Sequence, residues 1–217
     1  MKPDRELQDH ILSALEWEPG VDAAHIGVTV DSGVVTLQGE VRTYFEKLDA
    51  ERTARRVYGV RAVANDLIVK PTLAMTRSDG EIAKAVANAL DWDSVIPKGA
   101  VKATVEHGFV TLTGEVTWQF QRLAAESALR HLFGVKGVTN AITVKPNVEV
   151  SDVKAKIEAA FKRSAEIDAR NVRVEARDGG VILTGKVHSL FERDEAERAA
   201  WAAPGVRKVE DRLQVTA

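Results

Sequence analysis

Gly180 to Lys186 reads GVILTGK and has the G-x-x-x-x-G-K spacing of a phosphate-binding loop, in which backbone amides cradle a phosphate and the lysine neutralises it. The next residue is Val187, so the Ser or Thr hydroxyl that would hold Mg²⁺ is absent. Val181, Ile182 and Leu183 are strand formers, and an extended strand cannot wrap its amides around an anion. The reading taken is a strand that ends on glycine. The five histidines, His10, His25, His107, His131 and His188, contain no i, i+4 pair, and the chain has no cysteine, so no thiolate metal site, disulfide or Cys nucleophile exists. Glu51, Glu126 and Glu197 recur at matched positions, but one carboxylate per segment is not an acid–base pair. They read as helix-surface carboxylates bridging to neighbouring arginines. No catalytic, cofactor-binding or metal-ligating residue is assigned, and the expectation is a binding protein that is not an enzyme.

The elements that carry these residues repeat three times. GVVTLQGEV from Gly33, GFVTLTGEV from Gly108 and GGVILTGKV from Gly179 are offset by 75 and 71 residues. The same offsets align Phe45, Phe120 and Phe191, then Gly59, Gly134 and Gly205, and then Val63, Val138 and Val209. Leu7, Ile11, Ala14 and Leu15 fall at i, i+4, i+7 and i+8, the spacing of an amphipathic helix. Ile26, Val28 and Val30 alternate with polar or small residues, and after Asp31-Ser32-Gly33 the alternation resumes at Val35, Leu37 and Val41, which predicts a hairpin. A second helix from about Thr43 places Ala50, Thr53, Ala54 and Val57 inward, Gly59 follows at its C-cap, and a last strand alternates Val63, Leu67 and Val69. The fold class expected is α+β: three tandem α-β-β-α-β modules over 1–71, 72–147 and 148–217, each a three-stranded mixed sheet packed on two helices. Gly33, Gly39, Gly59, Gly108, Gly114, Gly134, Gly179, Gly185 and Gly205 are its structural glycines. The linkers Lys70-Pro71 to Asp79 and Lys145-Pro146 to Ser151 read as short semi-rigid hinges.

The tryptophans break the repeat. Trp17 and Trp92 match each other at the end of the first helix, where the third copy has Arg163. Trp201 matches Arg55 and Arg130, which makes it a candidate exposed aromatic on the second helix, and Trp118 is matched with Thr43 and His188 at that helix's start. Exposed aromatics mark interfaces with protein or lipid. Packing between modules is the reading favoured for them, and contact with lipid or an outside partner is the alternative.

The G-V-V/I-x-L-x-G core and the Ala-rich second helix, together with the ending Gly59 to Val69, Gly134 to Val144 and Gly205 to Val215, resemble the BON domain. The resemblance covers three copies and nearly the whole chain. It implies the α-β-β-α-β fold, no catalytic activity, and a role in osmotic or envelope stress, often through phospholipid.

Composition is compatible with this. The chain of 217 residues is 45% hydrophobic and 29% charged, ordinary for packed cores, with a net charge of −2. Lys plus Arg against Asp plus Glu is 9 to 12, 8 to 7 and 13 to 13 over the three segments, so none has the basic excess of a nucleic-acid binder. No stretch approaches the roughly 20 apolar residues of a membrane span. The acid-rich N-terminus does not read as a secretory signal, which gives the expectation of a cytoplasmic protein, peripheral to the membrane where it meets lipid. The function expected is docking on anionic phospholipid or a membrane-bound partner through Trp17, Trp92, Trp118 and Trp201. Its rival is a soluble K⁺-responsive or protein-interaction scaffold.

Overall fold

The computed structural model describes residues 3–145, 152–163, 171–177 and 179–216. The second expected linker, from 146 to 151, lies outside the described residues. Helix α1 (Asp4–Trp17) is followed by strands β1 (Ile26–Asp31) and β2 (Val34–Val41), helix α2 (Tyr44–Arg56) and strand β3 (Ala62–Val69). The order recurs as α3 (Asp79–Trp92), β4 (Val101–Glu106), β5 (Phe109–Val116), α4 (Gln119–Ser127) and β6 (Gly137–Val144). It recurs again as α5 (Val153–Arg163), β7 (Val172–Arg177), β8 (Gly180–Val187), α6 (Leu190–Trp201) and β9 (Lys208–Val215). The stretch with phosphate-loop spacing is therefore strand β8.

Each sheet has its second strand in the centre, antiparallel to the first and parallel to the third. The tight hairpin gives the antiparallel pair, and the second helix supplies the crossover that a parallel pair requires. Successive side chains on a strand point to opposite faces, so Val35, Leu37 and Val41 are buried while Val34, Gln38 and Glu40 are exposed. Leu7, Ile11 and Leu15 of α1, with Ala50 and Ala54 of α2, close over that face and are almost wholly buried. The other two units repeat this core around Ile82, Val86 and Leu112, and around Ile157, Phe161 and Leu183.

Glycine is obligatory where the first strand meets the second. Gly39 has φ +130°, and a Cβ there would sit 2.0 Å from the His25 carbonyl oxygen. Gly114 and Gly185 meet the carbonyls of Ala100 and Asn171 at the same 2.0 Å.

The start of the second helix is built on a capping pair that the repeat pattern alone did not expose. Thr43 Oγ1 accepts from Glu46 N–H at 3.1 Å, and the Glu46 carboxylate accepts from the backbone N–H groups of Arg42 and Asp22 at 2.8 and 2.9 Å. Ser189 and Glu192 do the same in the third unit. Trp118 is thus the counterpart of Ser189, and the match to His188 is corrected by one residue. Trp118 has no oxygen to cap with, so only Gln121 reaches back, accepting from the backbone N–H groups of Thr117 and Trp118 at 3.1 Å.

The three units close into a ring through their second helices. Tyr44, the first residue of α2, is buried in the core of the second unit, with Leu48 beside it. Leu190, the same position on α6, is buried in the core of the first unit. Between the same units, Asp194 accepts from Arg55 at 2.7 Å. The third unit therefore grips the first as the first grips the second. Trp201, at the position of Arg55 and Arg130, packs against the cores of both the second and third units and completes the cycle. Repeated heterologous contacts that close after three steps make a cyclic arrangement, here within one chain.

Candidate functional site

Helices α1, α3 and α5 end at equivalent positions occupied by Trp17, Trp92 and Arg163. The inner face of each helix is spent on its own core, which leaves the last residue pointing outward. Trp17 is 89% exposed and Trp92 is 90% exposed, so neither packs between units as the favoured reading expected. An indole left this open contributes little to folding, because stabilisation scales with the apolar area removed from water.

The electrostatics of the three ends differ. Glu16 and Glu18 flank Trp17, and Asp91 and Asp93 flank Trp92, at helix C-termini that already carry negative partial charge. Lys162 and Arg163, both exposed, complement the dipole at the end of α5. Two ends thus offer an aromatic face between carboxylates, and the third offers two cations.

The other two tryptophans behave differently. Trp118 is 37% exposed, and its ring lies over Phe120 with centroids 6.1 Å apart. Trp201 does not stand on an exposed helix surface as its sequence position suggested. It is half-buried in the junction, and its indole N–H donates to Glu197 at 3.3 Å. The nine glycines singled out in sequence all have positive φ, at the hairpin turns, at the first-to-second strand contact and after the second helix.

The recurrent glutamates face an amide as well as arginine. Glu51 and Glu126 accept from the side-chain N–H of Asn65 and Asn140 on the last strands, at 3.0 and 3.1 Å. In the third unit Asp211 replaces the asparagine and would repel Glu197, so Arg193 pairs with Asp211 at 2.5 Å and Glu197 turns to Trp201. These carboxylates tie helix to sheet. A further structural role belongs to Asp4 and Asp79. Each accepts from two successive backbone N–H groups of a hairpin turn, Ser32 and Gly33 or His107 and Gly108, at 2.8 to 3.1 Å. An acid exactly one repeat apart at a helix start was visible in the sequence, although the turn it reaches was not. Among the described residues, no group of three or more His, Asp or Glu is arranged to hold a metal ion.

The BON domain family matches the chain over residues 3–71, 78–146 and 149–217, and the chain belongs to that family. Osmotically-inducible protein Y of Escherichia coli is 29% identical over 146 residues, covering 65% of this chain and 73% of that protein. Among solved structures, CdsD, a structural protein of the type III secretion system of Chlamydia trachomatis, aligns over 97% of this chain and 92% of its own at 16% identity and a TM-score of 0.27. The PrgH periplasmic domain aligns at 13% identity, over 95% of this chain and all of its own, with a TM-score of 0.24. Scores this low carry no argument about the arrangement of the three units.

Proposed function

We propose that this is a non-enzymatic protein of the osmotic or envelope stress response that docks on phospholipid surfaces through the equivalent helix ends at Trp17 and Trp92. The observation that carries the reading is that both indoles are almost fully exposed at matched positions. Aromatic side chains of this kind partition to the headgroup level of a bilayer, where one end is apolar and the other wet. Among the described residues no helix is long and apolar enough to cross a membrane, so the association is peripheral. Membership of the family and likeness to osmotically-inducible protein Y support the stress role.

Charge sharpens the lipid. The acids beside both tryptophans repel a uniformly anionic bilayer, whereas an ammonium headgroup is attracted to an indole face and to the carboxylates around it. Lys162 and Arg163 at the third end suit the headgroup phosphate. The surface therefore fits zwitterionic phospholipid better than the anionic lipid first expected. Co-sedimentation with phosphatidylcholine–phosphatidylethanolamine vesicles tests this. Retention should fall severalfold in the Trp17→Ala, Trp92→Ala double variant, and in the wild type when phosphatidylglycerol replaces the zwitterionic lipid. Equal retention of wild type and double variant would reject the site.

A further inference from the structure

Where the units meet, α2, α6 and Arg130 in the turn after α4 border a cavity of about 350 Å³. That is within the range of small-molecule sites, about 300–1,000 Å³. All three units line it. Its apolar wall is Phe45 and Leu48 from the first unit and Phe191 from the third, and the Phe45 ring is held by His131 of the second unit, with centroids 4.5 Å apart.

Its charged wall is not balanced locally. Arg52 pairs with Asp49, Arg55 pairs with Glu51 and Asp194, and Glu195 is drawn to Arg198 outside the cavity. These pairs use all four carboxylates of the lining. Arg56, exposed at the rim, and Arg130, half-buried, also line the cavity, and among the described residues neither has an ion-pair partner. The Nε of Arg130 is buried with no hydrogen-bond acceptor. A buried donor without a partner is unfavourable, more so on a charged group, so an acceptor at this point would be stabilising.

From the half-buried Arg130, whose Nε lacks an acceptor, and the exposed Arg56 at the rim of a cavity that also carries Phe45 and Phe191, we infer that this cavity binds a free organic anion, one phosphate or carboxylate carried on an apolar body. The guanidinium fork matches the oxygens of such a group bidentately, and the phenyl rings offer an apolar surface to its body. No single unit contains the site. Arg56 and Arg130 come from neighbouring units, so the ligand would report on ring closure. The site is separate from the helix-end tryptophans.

Isothermal titration of the full chain with phenyl phosphate, against inorganic phosphate, tests the inference. Phenyl phosphate should bind at least tenfold more tightly than inorganic phosphate, and Arg56→Gln with Arg130→Gln should weaken it at least tenfold while vesicle retention is unchanged. Equal affinity for the two phosphates, or phenyl phosphate binding unaffected by the double substitution, would overturn it. If the double variant melts early, Phe191→Ala provides the same test, because the advantage of phenyl over inorganic phosphate should drop severalfold and an unchanged advantage counts against the site. Displacement of phenyl phosphate by phosphatidic acid vesicles would overturn the assignment to a free solute.

Discussion

The junction between the first and second units and the junction between the third and first use the same helix positions with different chemistry. In the former, Tyr44 is buried in the neighbour's core and the Phe45 ring packs at a tilt against His131. In the latter, Leu190 fills the pocket that Tyr44 fills elsewhere, and the aliphatic Leu48 position is Asp194, paired to Arg55. A shared backbone geometry lets each unit grip the next, while unlike side chains make each junction specific. An aspartate at the position of Leu48 would meet Arg130 but lose the apolar contact. A leucine at the position of Asp194 would leave Arg55 without its partner across the junction. Unequal junctions therefore favour one cyclic order of units over the alternatives.

Breaking the apolar anchors should have the largest effect. Tyr44→Ala removes a side chain that is 7% exposed and is expected to lower unfolding stability by about 3 kcal/mol, with Leu190→Ala costing about 2–3 kcal/mol. Urea unfolding measures both, and hydrogen exchange should show Tyr44→Ala opening the first-to-second junction and Leu190→Ala the third-to-first.

Alkaline pH separates the two junctions next. Burial holds the Tyr44 hydroxyl above the usual phenol range, and Glu126 adds repulsion to its anion, while the backbone at Val138 and the charge of Arg130 act the other way. The unfolded chain releases this proton near the model-compound value of 10.0, and the folded chain keeps it longer. The contribution is therefore complete below pH 10 and is lost as pH rises from there through the folded value. Melting temperature should fall as pH rises above about 10, and Tyr44→Phe should flatten that fall. An identical fall in Tyr44→Phe would show that another group is responsible.

The ionic contact is expected to matter least. The side chains of Arg55 and Asp194 are 34% and 48% exposed, so the pair is worth about 0.5 kcal/mol. Arg55→Gln should lower stability by that amount at low salt and by nothing measurable in 1 M NaCl, where such charges are screened.

Much of a single unit could be read from the chain because it rests on local constraints. Alternation at Val35, Leu37 and Val41 and helical spacing at Leu7, Ile11 and Leu15 each follow from one element's own period. The Thr43–Glu46 and Ser189–Glu192 caps were also legible in principle, as S/T-x-x-E before an apolar run. The matching of Trp118 to His188 hid them, since one residue's error replaces the capping serine. Trp201 was misplaced for another reason. Its equivalents are arginines, and a charged counterpart suggests exposure, but those arginines also line the cavity where the units meet.

The repeated order of helices and strands, the family and the glycines at strand crossings were determined by the sequence itself, through residue spacing within one unit. Ring closure, the burial of Tyr44 and Leu190 in neighbouring cores and the cavity with its two unpaired arginines were decided only by tertiary structure. Contacts between residues such as Arg55 and Asp194, 139 positions apart, leave no periodic trace along the chain. They depend on how complete units meet, and that depends on the shape and charge of surfaces that exist only after each unit has folded.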